Sequence, residues 1–372
     1  MQFKVTAKRL KQALQIVEAV LPAKAPLPAA AHVKLSGKGR QLTLTATNLH
    51  SLIHYTFSAE VAKEGVAVVP AKKFLDFVKT LSTEEISARR DANAKQLVIT
   101  TGSINLKLPT LDDQEFPEAP KEKGLSFKVR QADLREALRL TAFAAERDTN
   151  RHILQGCFLH FSPEGRCHVI ATDTKRLAKY SFDPVTAPSH MDQGRFIIPI
   201  QTAEVLTDHL IHDAEMTITI GEKHISLDFE TPGQDQYYLS FNQVIGNYPD
   251  CHGVIPNRAF INSVNRLGLL LALRRAISIV NAEGRVQLTF KGGTLEIEAS
   301  DSHTPASSSH LVEKLPIEYS GEPLSAAFTP KMLAQALEEM TEDSVVFDLE
   351  GESKPLALNG KNYLYLNMPL RT

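Results

Sequence analysis

The chain carries 13 histidines, 3 cysteines and 43 aspartates and glutamates, enough to furnish a catalytic or metal centre if their spacing allowed one. It does not. There is no HExxH, no HxH and no GxSxG turn, so neither a zinc site nor an activated serine is written locally. His50 and His54 are four residues apart, but in a turn-and-strand region that spacing does not put two rings on one face. Cys157, Cys167 and Cys251 form no CxxC and cannot all pair, which argues against a disulfide framework and for a reducing compartment. The KGGT stretch at 291–294 lacks the GxxxxGK[ST] pattern of a phosphate loop and reads as a hairpin turn. No catalytic residue, metal ligand set or cofactor is expected. What the residue types do offer is recognition, by basic side chains on helices and by a turn that joins a basic pair to leucine.

That turn is ATDTKRLA, residues 171–178, and it has relatives at TLTATN (43–48) and EIEASD (296–301). The three place Asn48, Asp173 and Asp301 in equivalent positions, a domain-sized period. Other landmarks recur in the same order. A phenylalanine-led strand feeds a helix at Phe3, Phe127 and Phe260. A strand ending in proline meets a second helix at Pro70, Pro199 and Pro330, where proline suits the first helical turn. Closing strands are expected around Pro117, Pro249 and Pro369. Segments such as LTLTAT, ISLDF, YYLSF and YLYLN alternate apolar and polar residues as half-buried antiparallel strands do. SGKGR, SPEGR and KGGT supply hairpin loops between them. The pattern predicts an α+β protein of three repeated domains, each with two helices packed on antiparallel sheet, at 1–122, 123–256 and 257–372.

The net charge of −2 would ordinarily count against nucleic acid, but its distribution does not. Predicted helices at 6–20, 70–80, 131–147, 199–211, 262–280 and 329–340 carry a net +4, leaving −6 elsewhere. No cluster resembles a base-reading motif, so contact with phosphates would be independent of sequence.

ATD-x-x-RLA at 171–178, VPA-x-x-F at 69–74, YPD-x-x-x-VIP at 248–256 and MPL-R at 368–371 together resemble the bacterial β sliding clamp family, the processivity subunit of DNA polymerase III. The likeness runs the whole chain in order. It implies a non-catalytic ring of two head-to-tail subunits, six domains and twelve lining helices. Twelve helices at ~8–10 Å spacing make a circle roughly 30–38 Å across, and subtracting a helix diameter of about 10 Å leaves room for a duplex. Such a ring holds double-stranded DNA by topology and slides because nothing grips a base edge.

By the same resemblance, a groove for short linear peptides of the replicative polymerase, clamp loader and repair polymerases maps to Leu154, Thr172, Thr174, Lys175, Arg176, Leu177, Pro249, Val254, Met368, Pro369, Leu370 and Arg371. Leu177 and Met368 are expected as its floor, Leu370 and Arg371 as its wall. DNA-near positions are Lys24, Lys72, Lys73, Arg147, Arg151 and Arg274, and the dimer contacts are Leu106, Ile279 and Val280. Thr174 and Lys175 depart from the family's usual Gly-His, Gly253 from a basic residue and Thr372 from an apolar terminus. Those changes would also suit a specialised clamp-fold scaffold outside bulk replication. Mass in solution separates the two, since a clamp should show twice 41.1 kDa. Met1 leads straight into a strand without an apolar signal region, and a cytoplasmic location is expected, with no membrane partner.

Overall fold

The computed structural model describes residues 1–82, 85–120, 123–148, 151–210, 213–256, 262–280, 284–301 and 309–370. Six α-helices occur among them: α1 Ala7–Glu18, α2 Ala71–Lys79, α3 Gln131–Thr141, α4 Ile200–His209, α5 Arg266–Val280 and α6 Pro330–Glu339. Each of the three copies contributes two. The first shows why. Thr6 accepts a hydrogen bond from the Arg9 amide at 3.3 Å and so caps α1. Leu10, Ala13, Leu14 and Val17 then recur at helical spacing and are all buried.

The chain folds into two compact units: 1–135, 183–196 and 201–244, then 136–182, 197–200 and 245–372. The division runs through the middle copy. The first unit holds two sheets, of five and eight strands; the second is built on a twelve-stranded sheet. Every pairing between described strands is antiparallel, as expected from the alternating patterns.

Each unit contains one seam between copies. In the first, strand Ser51–Ser58 pairs with Gln236–Asn242, starting at Ser51↔Phe241. In the second, Arg176–Phe182 pairs with Tyr363–Asn367, starting at Arg176↔Asn367. Leu106 lies on Ile104–Pro109, one of the two edge strands of the five-stranded sheet. The KGGT loop is a hairpin turn, with Gly292 at φ 51° and Gly293 at φ 75°, a backbone that other residues adopt only with strain.

Three expectations need correction. The segments around Pro117 and Pro249 are connectors rather than closing strands, because proline donates nothing to a ladder. Around Pro369 the strand likewise stops at Asn367. Only Pro330 occupies a first helical position; Pro70 and Pro199 end the preceding strand one residue earlier. The helix expected over 131–147 stops at Thr141 and tightens into a 3-10 turn, Ala142–Ala144.

Candidate functional site

The second turn is a closed cage of hydrogen bonds. Thr172 Oγ1 donates to the Arg176 carbonyl at 2.6 Å and accepts from the Thr174 amide at 3.1 Å. Asp173 Oδ1 accepts from the Lys175 and Arg176 amides at 2.9 and 3.0 Å. This geometry forces Thr174 to φ 75°, which explains why glycine suits the position. The Arg176 guanidinium points inward: it donates to Asp173 Oδ2 at 2.9 Å, to Gln335 of α6 at 2.5 Å and to the Phe143 carbonyl at 2.7 Å, lying 5.5 Å from the Phe143 ring centre. With its side chain only 11% exposed, Arg176 holds the turn against its own domain rather than reaching outward.

Next to this cage lies an apolar bed. Leu177, Ile170, Ala357 and Leu366 are buried together, with Tyr248, Cys251, Ile255 and Leu364 packed against them. Tyr248 stacks on Phe158 at 4.7 Å, and burial pushes its phenol far above the usual range, so it stays neutral. Leu154 and Thr172 are also buried. Above the bed stand exposed apolar side chains: Val254 at 47%, Met368 at 39% and Leu370 at 37%. Met368, expected beside Leu177 in a floor, is thus exposed where Leu177 is buried. The tail is pinned by its backbone, Met368 N–H to the Lys175 carbonyl and Leu370 N–H to the Ala327 carbonyl, both at 2.8 Å. Pro249 and Lys175 are exposed and Pro369 half-buried around the same bed. Arg371 and Thr372 lie outside the described residues.

The basic positions divide. Lys24, Lys72, Lys73 and Arg147 are exposed. Arg151 is exposed but donates to Thr174 Oγ1 at 3.2 Å, and Arg274 is paired with Glu338 at 2.8 Å. Arg9, one of the charges that made the first helix basic, is bound to Asp235. Tyr55 donates to the same carboxylate at 2.6 Å, and the guanidinium lies 5.3 Å from the Phe57 ring centre. A partner 226 residues away leaves no local sign in the sequence. Of the expected dimer contacts, Leu106 and Ile279 are half-buried, whereas Val280 is 7% exposed and packs as core.

Burial pushes the Cys157 thiol up to about 12 and the Cys167 thiol well above its ordinary value, so neither is a nucleophile near neutrality. Among the described residues no group of three or more His, Cys, Asp or Glu could hold a metal ion, and no helix is long and apolar enough to cross a membrane.

Family models of the N-terminal, central and C-terminal domains of the DNA polymerase III beta subunit match residues 1–120, 128–250 and 253–371. The beta sliding clamp of Pseudomonas aeruginosa is 29% identical over 382 residues, covering 100% of both chains. That of Chlamydia pneumoniae is 25% identical over 375 residues, covering 100% of this chain and 99% of its own. Among solved structures, the P. aeruginosa sliding clamp bound to griselimycin superimposes with a TM-score of 0.90 at 27% identity, and the Bartonella birtlesii clamp with the same ligand at 0.89 and 26%; both cover 100% of both chains.

Proposed function

Because the chain belongs to the DNA polymerase III beta subunit family, we propose that its Thr172–Leu177 turn, the 248–256 connector and the carboxy-terminal tail form the groove through which it docks partners. The protein is a sliding clamp, a non-catalytic processivity factor. Two copies form a ring around duplex DNA, and short linear peptides of the replicative polymerase, clamp loader and repair polymerases bind to it. The observation that carries the groove assignment is the contrast between a locked turn, a buried bed at Leu177 and Leu366, and exposed Val254, Met368 and Leu370 beside them. Apolar side chains left open over a fixed floor suit an apolar peptide anchor. Griselimycin, which the Pseudomonas and Bartonella clamps bind, is a candidate ligand here too.

Further assignments belong to the same proposal. Lys24, Lys72, Lys73, Arg147 and Arg151 face DNA, with Arg274 reaching it only by sharing its charge with Glu338. Leu106 and Ile279 close the ring, and domain boundaries fall at 122/123 and 256/257. The cytoplasm is its compartment.

The test is topological. After loading by its ATP-driven loader onto nicked circular DNA, the protein should remain bound through high-salt gel filtration and leave once the circle is linearised. Equal loss from both forms would mean that charge rather than topology holds it, since electrostatic binding does not distinguish circle from line.

A further inference from the structure

The first unit repeats the geometry of the groove and changes its chemistry. Thr47 Oγ1 donates to the Ser51 carbonyl at 2.8 Å and accepts from the Leu49 amide at 2.9 Å, while Asn48 Oδ1 accepts from the His50 and Ser51 amides. Asn242 N–H donates to the His50 carbonyl at 2.8 Å, as Met368 N–H does to Lys175. By this register Thr45, Leu52, Ser240 and Tyr238 stand where the groove has Ile170, Leu177, Leu366 and Leu364. The Phe-Pro-Glu connector at 116–118 answers the Tyr-Pro-Asp at 248–250.

Where the second unit has an apolar bed, the first has an open cleft of about 1050 Å³. Cross-strand pairing lines up one row of side chains along it: Lys128, Thr217, Asp228, Tyr238, His54, Thr45 and Lys34. Its cations are engaged. Lys128 is 3.0 Å from Glu215, and Lys34 lies 5.9 Å from the Phe116 ring centre. Thr45 Oγ1 and His54 Nδ1 are 2.6 Å apart, and the His54 and Tyr238 rings are 5.4 Å apart. Asp228, beside Tyr238, makes no hydrogen bond or ion pair among the described residues, and Glu118 adds a second carboxylate to the wall.

We propose that this cleft is a second docking site, for a linear partner peptide that sets an arginine on Asp228 against the Tyr238 and His54 rings. An arginine there would meet a free carboxylate and stack on aromatic faces, both of which favour guanidinium over ammonium. Lys34 and Lys128 face Glu118, Glu215, Asp228 and Glu230 around the cleft, so carboxylates outnumber ammonium groups there, which selects a basic segment and rejects an acidic one. His54 stays neutral, because burial and Lys34 hold its pKa down to about 4, so it adds no competing cation near neutrality. The correspondence of the two sites rests on the groove assignment above; the chemistry of the cleft does not.

The probe is a fluorescein-labelled peptide alternating arginine and serine, RSRSRS, titrated by fluorescence polarisation into the full-length dimer, with ESESES as its acidic counterpart. RSRSRS should bind below 1 mM, taken as roughly the weak limit of specific recognition, and ESESES should not. Asp228→Asn should weaken RSRSRS at least about tenfold, the loss of one charge-assisted contact. Removing residues 368–372 should leave it unchanged while weakening capture of a polymerase C-terminal peptide roughly thirty-fold. No binding at 1 mM, or undiminished binding to Asp228→Asn, overturns the proposal. So does loss on truncation, which would place the basic peptide in the groove. Failure of the polymerase peptide to respond to truncation would overturn the groove reading alone.

Discussion

The seams at Ser51–Ser58 and at Arg176–Phe182 share one backbone and differ in what lies on it. Both turns are caged by a threonine hydroxyl and an Asn or Asp side chain at matching positions, and both put a non-glycine residue at φ 75°. Past the cage they part. Ser51 only touches Thr202 of α4 at 3.4 Å, while its counterpart Arg176 ties α6, Phe143 and Asp173 together. On the face that carries the site, the first seam has Thr45, His54 and Tyr238 where the second has Ile170, Lys179 and Leu364. Duplication supplied a site geometry, and substitution on one sheet face made one copy apolar and the other polar. A period-two strand permits this, because residues on one face change without displacing those on the other.

The largest test of that contrast is acid. His54 has its pKa lowered from 6.5 to about 4, by burial first and by Lys34 second. A histidine depressed in the folded state leaves stability intact above pH 6.5. As pH falls from 6.5 towards 4 the unfolded chain takes up a proton that the folded one refuses, and stability drops. At ~1.4 kcal/mol per pKa unit the loss is about 3 kcal/mol. Hydrogen-exchange protection factors, which correct for the slower intrinsic exchange in acid, should therefore fall between pH 6.5 and 4 in strands Gln41–Thr47 and Ser51–Ser58, and His54→Gln should flatten the effect. The second seam has Lys179 in place of His54 and should lack it. Equal acid sensitivity in strands Cys167–Thr172 and Arg176–Phe182 would erase the distinction.

Loss of the tail is the next largest. Removing residues 368–372 takes the Met368 and Leu370 side chains off the rim without touching a helix. One anchor of that kind is typically worth about 2 kcal/mol or more, so affinity for a polymerase C-terminal peptide should fall roughly thirty-fold. Sedimentation should still report a dimer, since Leu106 and Ile279 lie elsewhere in the chain. Unaltered affinity in a dimeric, truncated protein would place the groove elsewhere.

How far the sequence discloses these sites follows from the range of each interaction. The repeat is legible because the cages of the first two turns are local: a threonine and an Asn or Asp bond to backbone groups within four residues. Helices and hairpins are legible for the same reason. Arg9–Asp235 is not, and it removes a charge that composition assigns to a basic helix. The row from Lys128 to Lys34 crosses six strand pairings, so it exists only once register is known. Val280 sits beside Ile279, but the helical rotation between neighbours turns one inward. Arg176 reads as a groove residue in the linear motif because nothing local names Gln335 or the Phe143 carbonyl as its partners.

The smallest effect concerns what the two turns share. Thr174 and Leu49 both lie at φ 75°, where a side chain crowds its own carbonyl at a cost of roughly 1–2 kcal/mol. A β-branched residue fares worse there than an unbranched one. Thr174→Gly should then stabilise its turn by about 1 kcal/mol, less whatever the 3.2 Å bond from Arg151 contributes. That bond joins two exposed residues, so its share should be below about 0.5 kcal/mol. Leu49→Gly should gain somewhat less, because glycine also loosens the unfolded chain and leucine is the less strained of the pair. The check is the denaturation midpoint of each variant, with a Thr174→Gly, Arg151→Ala double variant to remove the extra bond. If Thr174→Gly destabilises while the double variant matches Arg151→Ala alone, the Arg151 contact outweighs the backbone strain, and the threonine is kept for the bond it accepts rather than despite its conformation.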